Sequence, residues 1–175
     1  MEARRVLDIL VRPFVASDAP VTSAAFTALG WHKPLSQYEE YLRQQDAGTR
    51  AVLVATIDGH FAGYLTVVWA PEYAPFRDAG IPEAQDLNVL PDFRRVRVAS
   101  KLMDEAERLI GERSAVAGIG VGMDPSYGNA QRMYVRRGYI PDGLGLTTNH
   151  RHVQWGEAVT VDDDLVLYFT RRLRD

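Results

Sequence analysis

The sequence predicts a mixed α/β or α+β domain built around a single sheet. Three observations carry that expectation. Short apolar strand-like runs alternate with helix-like segments along the whole chain. AVLVATI and FAGYLTVVW flank Asp58-Gly59, a two-residue loop with the chemistry of a type I′ hairpin turn. Strand-like AQDLNVL and AVAGIGV are separated by a helical stretch long enough for a crossover, which predicts local parallel pairing.

Taken in order, LDILVRPF reads as a strand ending near Pro13. Ser17 or Asp18 then caps a helix running to about Leu29, with Gly30 as its stop. A second helix covers roughly Leu35 to Gln45 and closes at Ala47-Gly48. After the hairpin, residues 70–82 read as a loop, because Pro71, Pro75 and Pro82 interrupt any period. The AQDLNVL strand runs into Pro91, and Val98, Leu102, Ala106, Leu109 and Ile110 mark a helix from about Arg94 to Arg113. A strand from Ala115 to Val121 and a short helix from about Tyr127 to Arg137 follow, the latter ended by Gly138. Tyr139-Ile140 opens a further strand, and DLVLYFTRRL near the C-terminus is the last. Residues 141–163 read as irregular apart from a short strand near Val153.

Composition narrows the function. A length of 175 residues suits one domain over 1–175, and 46% hydrophobic with 25% charged residues is ordinary for a globular protein. No stretch approaches the run of about 18 apolar residues that a membrane span requires. MEARRVLDILVRPF lacks the apolar core and cleavage site of a signal peptide, so a cytoplasmic protein is expected. Zero cysteines exclude disulfides, thiolate metal sites and a cysteine nucleophile. A net charge of −3 gives no electrostatic support for general binding to nucleic acid or an anionic membrane. His150-Arg151-His152 lacks an acidic or third ligand and is discounted as a metal site; no metal is expected. Gly118-Ile119-Gly120-Val121-Gly122 lies within a strand rather than a strand-to-helix turn, so it is no dinucleotide loop. Small residues there suit a strand passing close to a ligand or splayed from its neighbour. Neither a P-loop nor a G-x-S-x-G elbow is present.

Two windows carry chemistry. In LNVLPDFRRVRVASKLM a strand breaks at Pro91 and re-enters a helix whose first turn carries Arg94, Arg95 and Arg97. Free N–H groups at a helix start, the positive end of its dipole and three guanidiniums suit a diphosphate, although such arginines are more often a solvated face. In DPSYGNAQRMYVRRGYIPDG, Ala130, Met133 and Tyr134 share a helical face, and Asn129 sits in the first turn. Tyr134 is equally readable as a half-buried aromatic whose hydroxyl merely finds a partner.

Together, and in this order, the two windows resemble the GCN5-related N-acetyltransferase (GNAT) superfamily. There a strand precedes Arg/Gln-x-x-Gly-x-Gly/Ala at a helix start; the corresponding stretch here is Arg94-Arg95-Val96-Arg97-Val98-Ala99. The downstream pattern, Asn-x-x-hydrophobic-x-x-Tyr-x-x-x-Gly-Phe/Tyr, is similar to the segment from Asn129 through Tyr134 to Gly138-Tyr139. The resemblance spans nearly the whole chain. It implies the GNAT fold: one mixed, mostly antiparallel sheet with a splayed parallel pair, flanked by helices on both faces. It also implies acetyl-CoA as co-substrate, held by Leu87, Val89, Arg94, Arg95, Val96, Arg97, Val98, Ala99, Ser100, Asn129 and Tyr134. One departure stands out, because the family's first glycine is replaced by Arg97. An arginine in a helical first turn has to run its side chain beside or away from the phosphates.

The implied reaction is direct attack of a primary amine of a small molecule or peptide on the acetyl thioester. Such an amine, with a pKa of about 10.4, is only ~0.04% neutral at pH 7, a penalty of roughly 4.6 kcal/mol. A base therefore helps, and an acid helps the thiolate leave; each effect is typically worth ~10²–10⁴-fold. By resemblance Tyr134 is the acid and Asp86 the base, with Glu83 in reserve, and a backbone N–H near Val89 holds the thioester carbonyl. Asp86 reads equally as charge recognition of the acceptor. Trp69, Tyr73 and Phe76 of the 70–82 region, and Trp155, are the expected pocket walls. A catalytically silent acyl-CoA-binding module is the alternative reading, motivated by Arg97. Neither the acceptor nor a homodimer, common in the family, is settled by the sequence.

Overall fold

A computed structural model describes residues 8–174, so the start of the segment read for a leader lies outside the described residues. The elements are β1 (Ile9–Pro13), α1 (Asp18–Ala28), α2 (Leu35–Asp46), β2 (Arg50–Ile57), β3 (His60–Val68), α3 (Ala74–Ala79), β4 (Glu83–Val89), α4 (Val98–Arg113), β5 (Val116–Gly122), α5 (Gly128–Arg136), β6 (Ile140–Thr148), β7 (Arg151–His152) and β8 (Leu165–Arg172). The sheet is mixed, with a parallel β4–β5 pair among antiparallel neighbours, and the expected class holds. The residues fall into two compact units, 8–67 with 86–108 and 68–85 with 109–174.

In the first unit the hydrogen-bonded order is β1-β2-β3-β4. β1 pairs antiparallel with β2, Ile9 opposite Ile57 and Pro13 opposite Leu53. The β2–β3 turn carries positive φ at both Asp58 (49°) and Gly59 (82°), as a type I′ turn requires. α1 and α2 enclose a core of Phe14, Phe26, Tyr38, Val52, Val54 and Tyr64. Its aromatic rings meet edge-on, Tyr38 to Tyr64 at 5.4 Å and Phe26 to Tyr64 at 5.7 Å. Gly63 of β3 admits β4 closely, since a Cβ there would lie 2.5 Å from the Asn88 carbonyl oxygen.

In the second unit the order is β4-β5-β8-β6-β7, and β4 contributes its opening residues. Glu83 and Ala84 run parallel to Gly118 and Ile119. β5 parts from β4 after Ala84 and Ile119, as a splayed pair does, and its alternate glycines also answer a packing demand. A Cβ on Gly118 would meet the Phe76 ring at 2.3 Å, one on Gly120 would meet Tyr168 at 2.9 Å, and one on Gly122 would meet Tyr127 at 2.4 Å. One face of the strand is thus left bare so that three aromatic rings can lie on it.

Three boundaries differ from expectation. Residues 70–82 contain α3, with Pro75 tolerated in its first turn and Gly80 closing it in the left-handed region (φ 65°). β6 extends to Thr148, its register shifting between Pro141 and Leu146, where Gly143 and Gly145 adopt positive φ. α4 begins only at Val98, after a 3-10 turn at Pro91–Phe93.

Gly118→Ala tests the packing of β5. The buried Phe76 ring has to move to admit one methyl, so urea unfolding should show a loss of about 1–3 kcal/mol. An unchanged midpoint would mean that the ring yields freely.

Candidate functional site

The strand-to-helix window forms a cleft of about 290 Å³ lined by Val89, Phe93, Arg94, Arg95, Arg97, Val98, Ala99 and Ser100. All but Phe93 were expected from the sequence. Val96 lies on the same loop but is not among the lining residues, and Leu87 is on β4. The guanidiniums of Arg94, Arg95 and Arg97 belong to the loop before α4 and not to its first turn. The reason is conformational: Arg95 (φ 63°) and Arg97 (φ 74°) are both left-handed, which no α-helix accommodates. Arg97 therefore holds a backbone conformation that favours glycine, at a cost of order 1 kcal/mol. Two strained arginines within three residues, beside the unpaired N–H groups of α4's first turn, make a cationic cradle suited to a diphosphate.

Asp86 lies on β4 with φ 53°, left-handed in the middle of a strand, where a residue re-aims its side chain. Its carboxylate collects five donors. Lys33 Nζ donates to Oδ1 at 2.8 Å and Asn88 Nδ2 to Oδ1 at 2.7 Å. Tyr64 OH at 2.5 Å, Tyr41 OH at 2.9 Å and Gln37 Nε2 at 3.1 Å all donate to Oδ2. Lys33 and Asp86 form an ion pair whose side chains remain 18% and 20% exposed, so the pair is reachable from solvent. Burial by itself would raise the Asp86 carboxyl. The charge and hydrogen bond of Lys33, with the two tyrosine hydroxyls, outweigh it and hold the group below the usual carboxylate range. The same carboxylate, acting after burial, pushes the Tyr64 and Tyr41 phenols up.

These donors escaped the sequence reading. Gln37 and Tyr41 stand at i, i+4 on α2, a spacing that puts them on one helical face, but nothing local points that face at a residue 45 positions on.

In the second unit, Tyr134 lies buried on α5 with its ring 6.0 Å from Tyr139. Burial, then the neighbouring Tyr127, pushes its phenol up. Asn129 is exposed in the first turn of the same helix. Glu83 is buried, and Gln85 Nε2 donates to its Oε2 at 3.0 Å. The structure removes two of the four expected aromatic walls. Tyr73 and Phe76 are core residues, with Tyr73 stacked on Tyr168 at 3.6 Å; Trp155 is fully exposed, and Trp69 lies under Arg113 at 3.9 Å. His150 is bound to Tyr168 OH at 2.9 Å and to Glu72 at 3.1 Å.

The Asp86 cluster predicts a stability profile. An aspartate carboxyl of pKa about 3.9 in the unfolded chain and lower in the folded one contributes stability above pH ~4, lost as pH falls through the folded value. Asp86→Asn should therefore cost about 2–4 kcal/mol near pH 7, and progressively less as acid protonates the carboxylate. Urea unfolding of both proteins across pH checks this; a deficit that grows on acidification contradicts it.

Comparison with known proteins agrees with this geometry. Residues 8–139 match the model of the acetyltransferase (GNAT) family. An uncharacterized N-acetyltransferase of Archaeoglobus fulgidus is 32% identical over 129 residues, covering 70% of this chain and 82% of that protein. Among solved structures, an N-acetyltransferase from Staphylococcus aureus Mu50 superposes with a TM-score of 0.71 at 13% identity, over 95% of this chain and 99% of the other. The yncA protein of Salmonella typhimurium, solved with its cofactor acetyl-CoA, superposes with a TM-score of 0.68 at 15% identity, over 95% of each chain. At such identities the structures speak for the fold, and the family model for membership: the chain belongs to the GNAT family of acetyltransferases.

Proposed function

We infer that the protein is an acetyl-CoA-dependent N-acetyltransferase that acts on a primary amine of a small molecule or peptide. The observation that carries this reading is the cradle before α4, where Arg94, Arg95 and Arg97 meet left-handed backbone and a helix start. The acetyl-CoA held by the Salmonella neighbour supports it. The cleft residues fit a diphosphate, and Arg94, Arg95, Arg97, Val98, Ala99 and Ser100 would hold it. Leu87, Val89, Val96, Asn129 and Tyr134 complete the contacts implied by the family. When bound, acetyl-CoA supplies the acetyl thioester that the amine attacks.

The chain's own groups divide the remaining work. Tyr134, pushed up by burial, stays protonated across the neutral range and so can donate to the departing sulfur. An ordinary phenol gives its proton to an ordinary thiolate uphill by roughly 2 kcal/mol, and burial steepens that climb. Its contribution is therefore a hydrogen bond to developing charge, worth about 10²-fold, at the low end of acid catalysis. For Asp86, five donors and a depressed pKa make a weak base but a strong electrostatic anchor, which favours charge recognition over proton abstraction. Proton removal then falls to the buried Glu83 or to water.

Turnover of Tyr134→Phe tests the assignment, since the variant keeps the ring and removes only the hydroxyl. With thiol release as the assay over a panel of primary amines, kcat should fall about 10²-fold while acetyl-CoA binding is unchanged. An equal kcat removes Tyr134 from the mechanism, and no thiol release with any amine removes the reaction.

A further inference from the structure

The five-donor cluster around Asp86 contains one group that differs from the rest. Tyr64, Tyr41, Gln37 and Asn88 sit on β3, α2 and β4, elements held by the sheet and the core. Lys33 comes from the connection between α1 and α2, flanked by exposed His32 and Pro34. Its ammonium also lies 5.6 Å from the centroid of the Tyr64 ring. A carboxylate oxygen, an aromatic face and neighbouring hydroxyls are what recognises an alkylammonium ion. The chain is sparing with such groups. Only two of its 20 Lys and Arg residues are lysine, Lys33 and the exposed Lys101, and one of them fills this place.

We propose that Asp86, Tyr41, Tyr64, Gln37 and Asn88 form an exchangeable primary-ammonium subsite, that Lys33 is its resident occupant, and that the ammonium of an acceptor displaces it. The catalytic use of this subsite rests on the acetyltransferase reading above; the exchange itself does not. Exchange conserves charge, because one ammonium replaces another on Asp86 Oδ1 and the part-buried carboxylate is never left unpaired. The partial exposure of both side chains leaves a route in, and the flexible Lys33 stem can swing out while its backbone stays tied to α1, where Ser23 Oγ donates to its carbonyl. Ammonium ions that carry N–H donors fit; a quaternary ion, with none to offer Oδ1, does not. Guanidinium is planar and forked, and a cluster that spends Oδ2 on three other donors gives it no bidentate partner. The substrate class is therefore an alkylamine, including a lysine side chain or a polyamine, in preference to an arginine-like or quaternary compound.

The test uses the intact protein without acetyl-CoA. A brief pulse of an amine-acylating reagent is read by mass spectrometry as the ratio of Lys33 to Lys101 modification, Lys101 correcting for reagent consumed. The ratio should start low and rise severalfold with n-butylammonium chloride, but not with tetramethylammonium chloride at equal concentration. In parallel, Lys33→Ala should melt below the wild type and regain a few °C, saturably, with n-butylammonium alone. A ratio indifferent to n-butylammonium, or a variant raised equally by both salts, overturns the proposal. If Lys33→Ala fails to fold, the labelling ratio decides alone. Because acetyl-CoA is absent throughout, a negative result strikes the subsite and leaves the acetyltransferase reading untouched.

Discussion

The part-buried carboxylate of Asp86 is the constraint around which the first unit is arranged. A charged group in that position is tolerated only if it is paired and its lone pairs are satisfied, and here donors converge from α2, β3, β4 and the α1–α2 connection. Meeting that demand dictates much of the local structure. β4 turns left-handed at Asp86, Gly63 clears the way for the Asn88–Val89 backbone, and Tyr64 stands upright in the core with its hydroxyl at the charge. The strand that carries this anchor then runs directly into the arginine loop. The Asp86 cluster and the cationic cleft thus lie on one continuous stretch, residues 86–100, by the path of a single strand.

Strain is concentrated on the same stretch. Asp86, Arg95 and Arg97 are three of the six non-glycine residues with positive φ among the described residues. Each costs of order 1 kcal/mol and persists only where the surroundings over-determine it. At Arg97 the strain bears on how the family's glycine is replaced. Replacing glycine there changes the side chain in the cleft but leaves a left-handed backbone path, so the substitution does not by itself argue for a silent module.

Much of the architecture was legible in local signals. Asp58-Gly59 announced its hairpin, the apolar period from Val98 to Ile110 announced α4, and Gly138 marked the end of α5. The failures have physical causes. α3 is short and holds Pro75, so its period was invisible; β6 is interrupted by two left-handed glycines that break strand alternation. The arginines of 94–97 are good helix formers, but Arg94 is extended and Arg95 and Arg97 are left-handed, which keeps the stretch out of α4. At the site, the cradle could be read from a contiguous window. The Asp86 cluster could not, because its donors lie up to 53 positions away and a long-range hydrogen bond leaves no periodic trace. The aromatics of 70–82 misled for the opposite reason: Tyr73 and Phe76 pack onto Tyr168 and the bare face of β5, a role indistinguishable in sequence from lining a pocket.

The account stands most directly on whether the arginine loop accepts acetyl-CoA. Calorimetric titration of the purified protein with acetyl-CoA, followed over a salt series, is the measurement to make. One-to-one binding in the micromolar range, weakening as salt screens the guanidiniums, is the predicted result. No heat of binding up to millimolar acetyl-CoA would contradict it, and would mean that the left-handed arginines shape a surface the cofactor does not use.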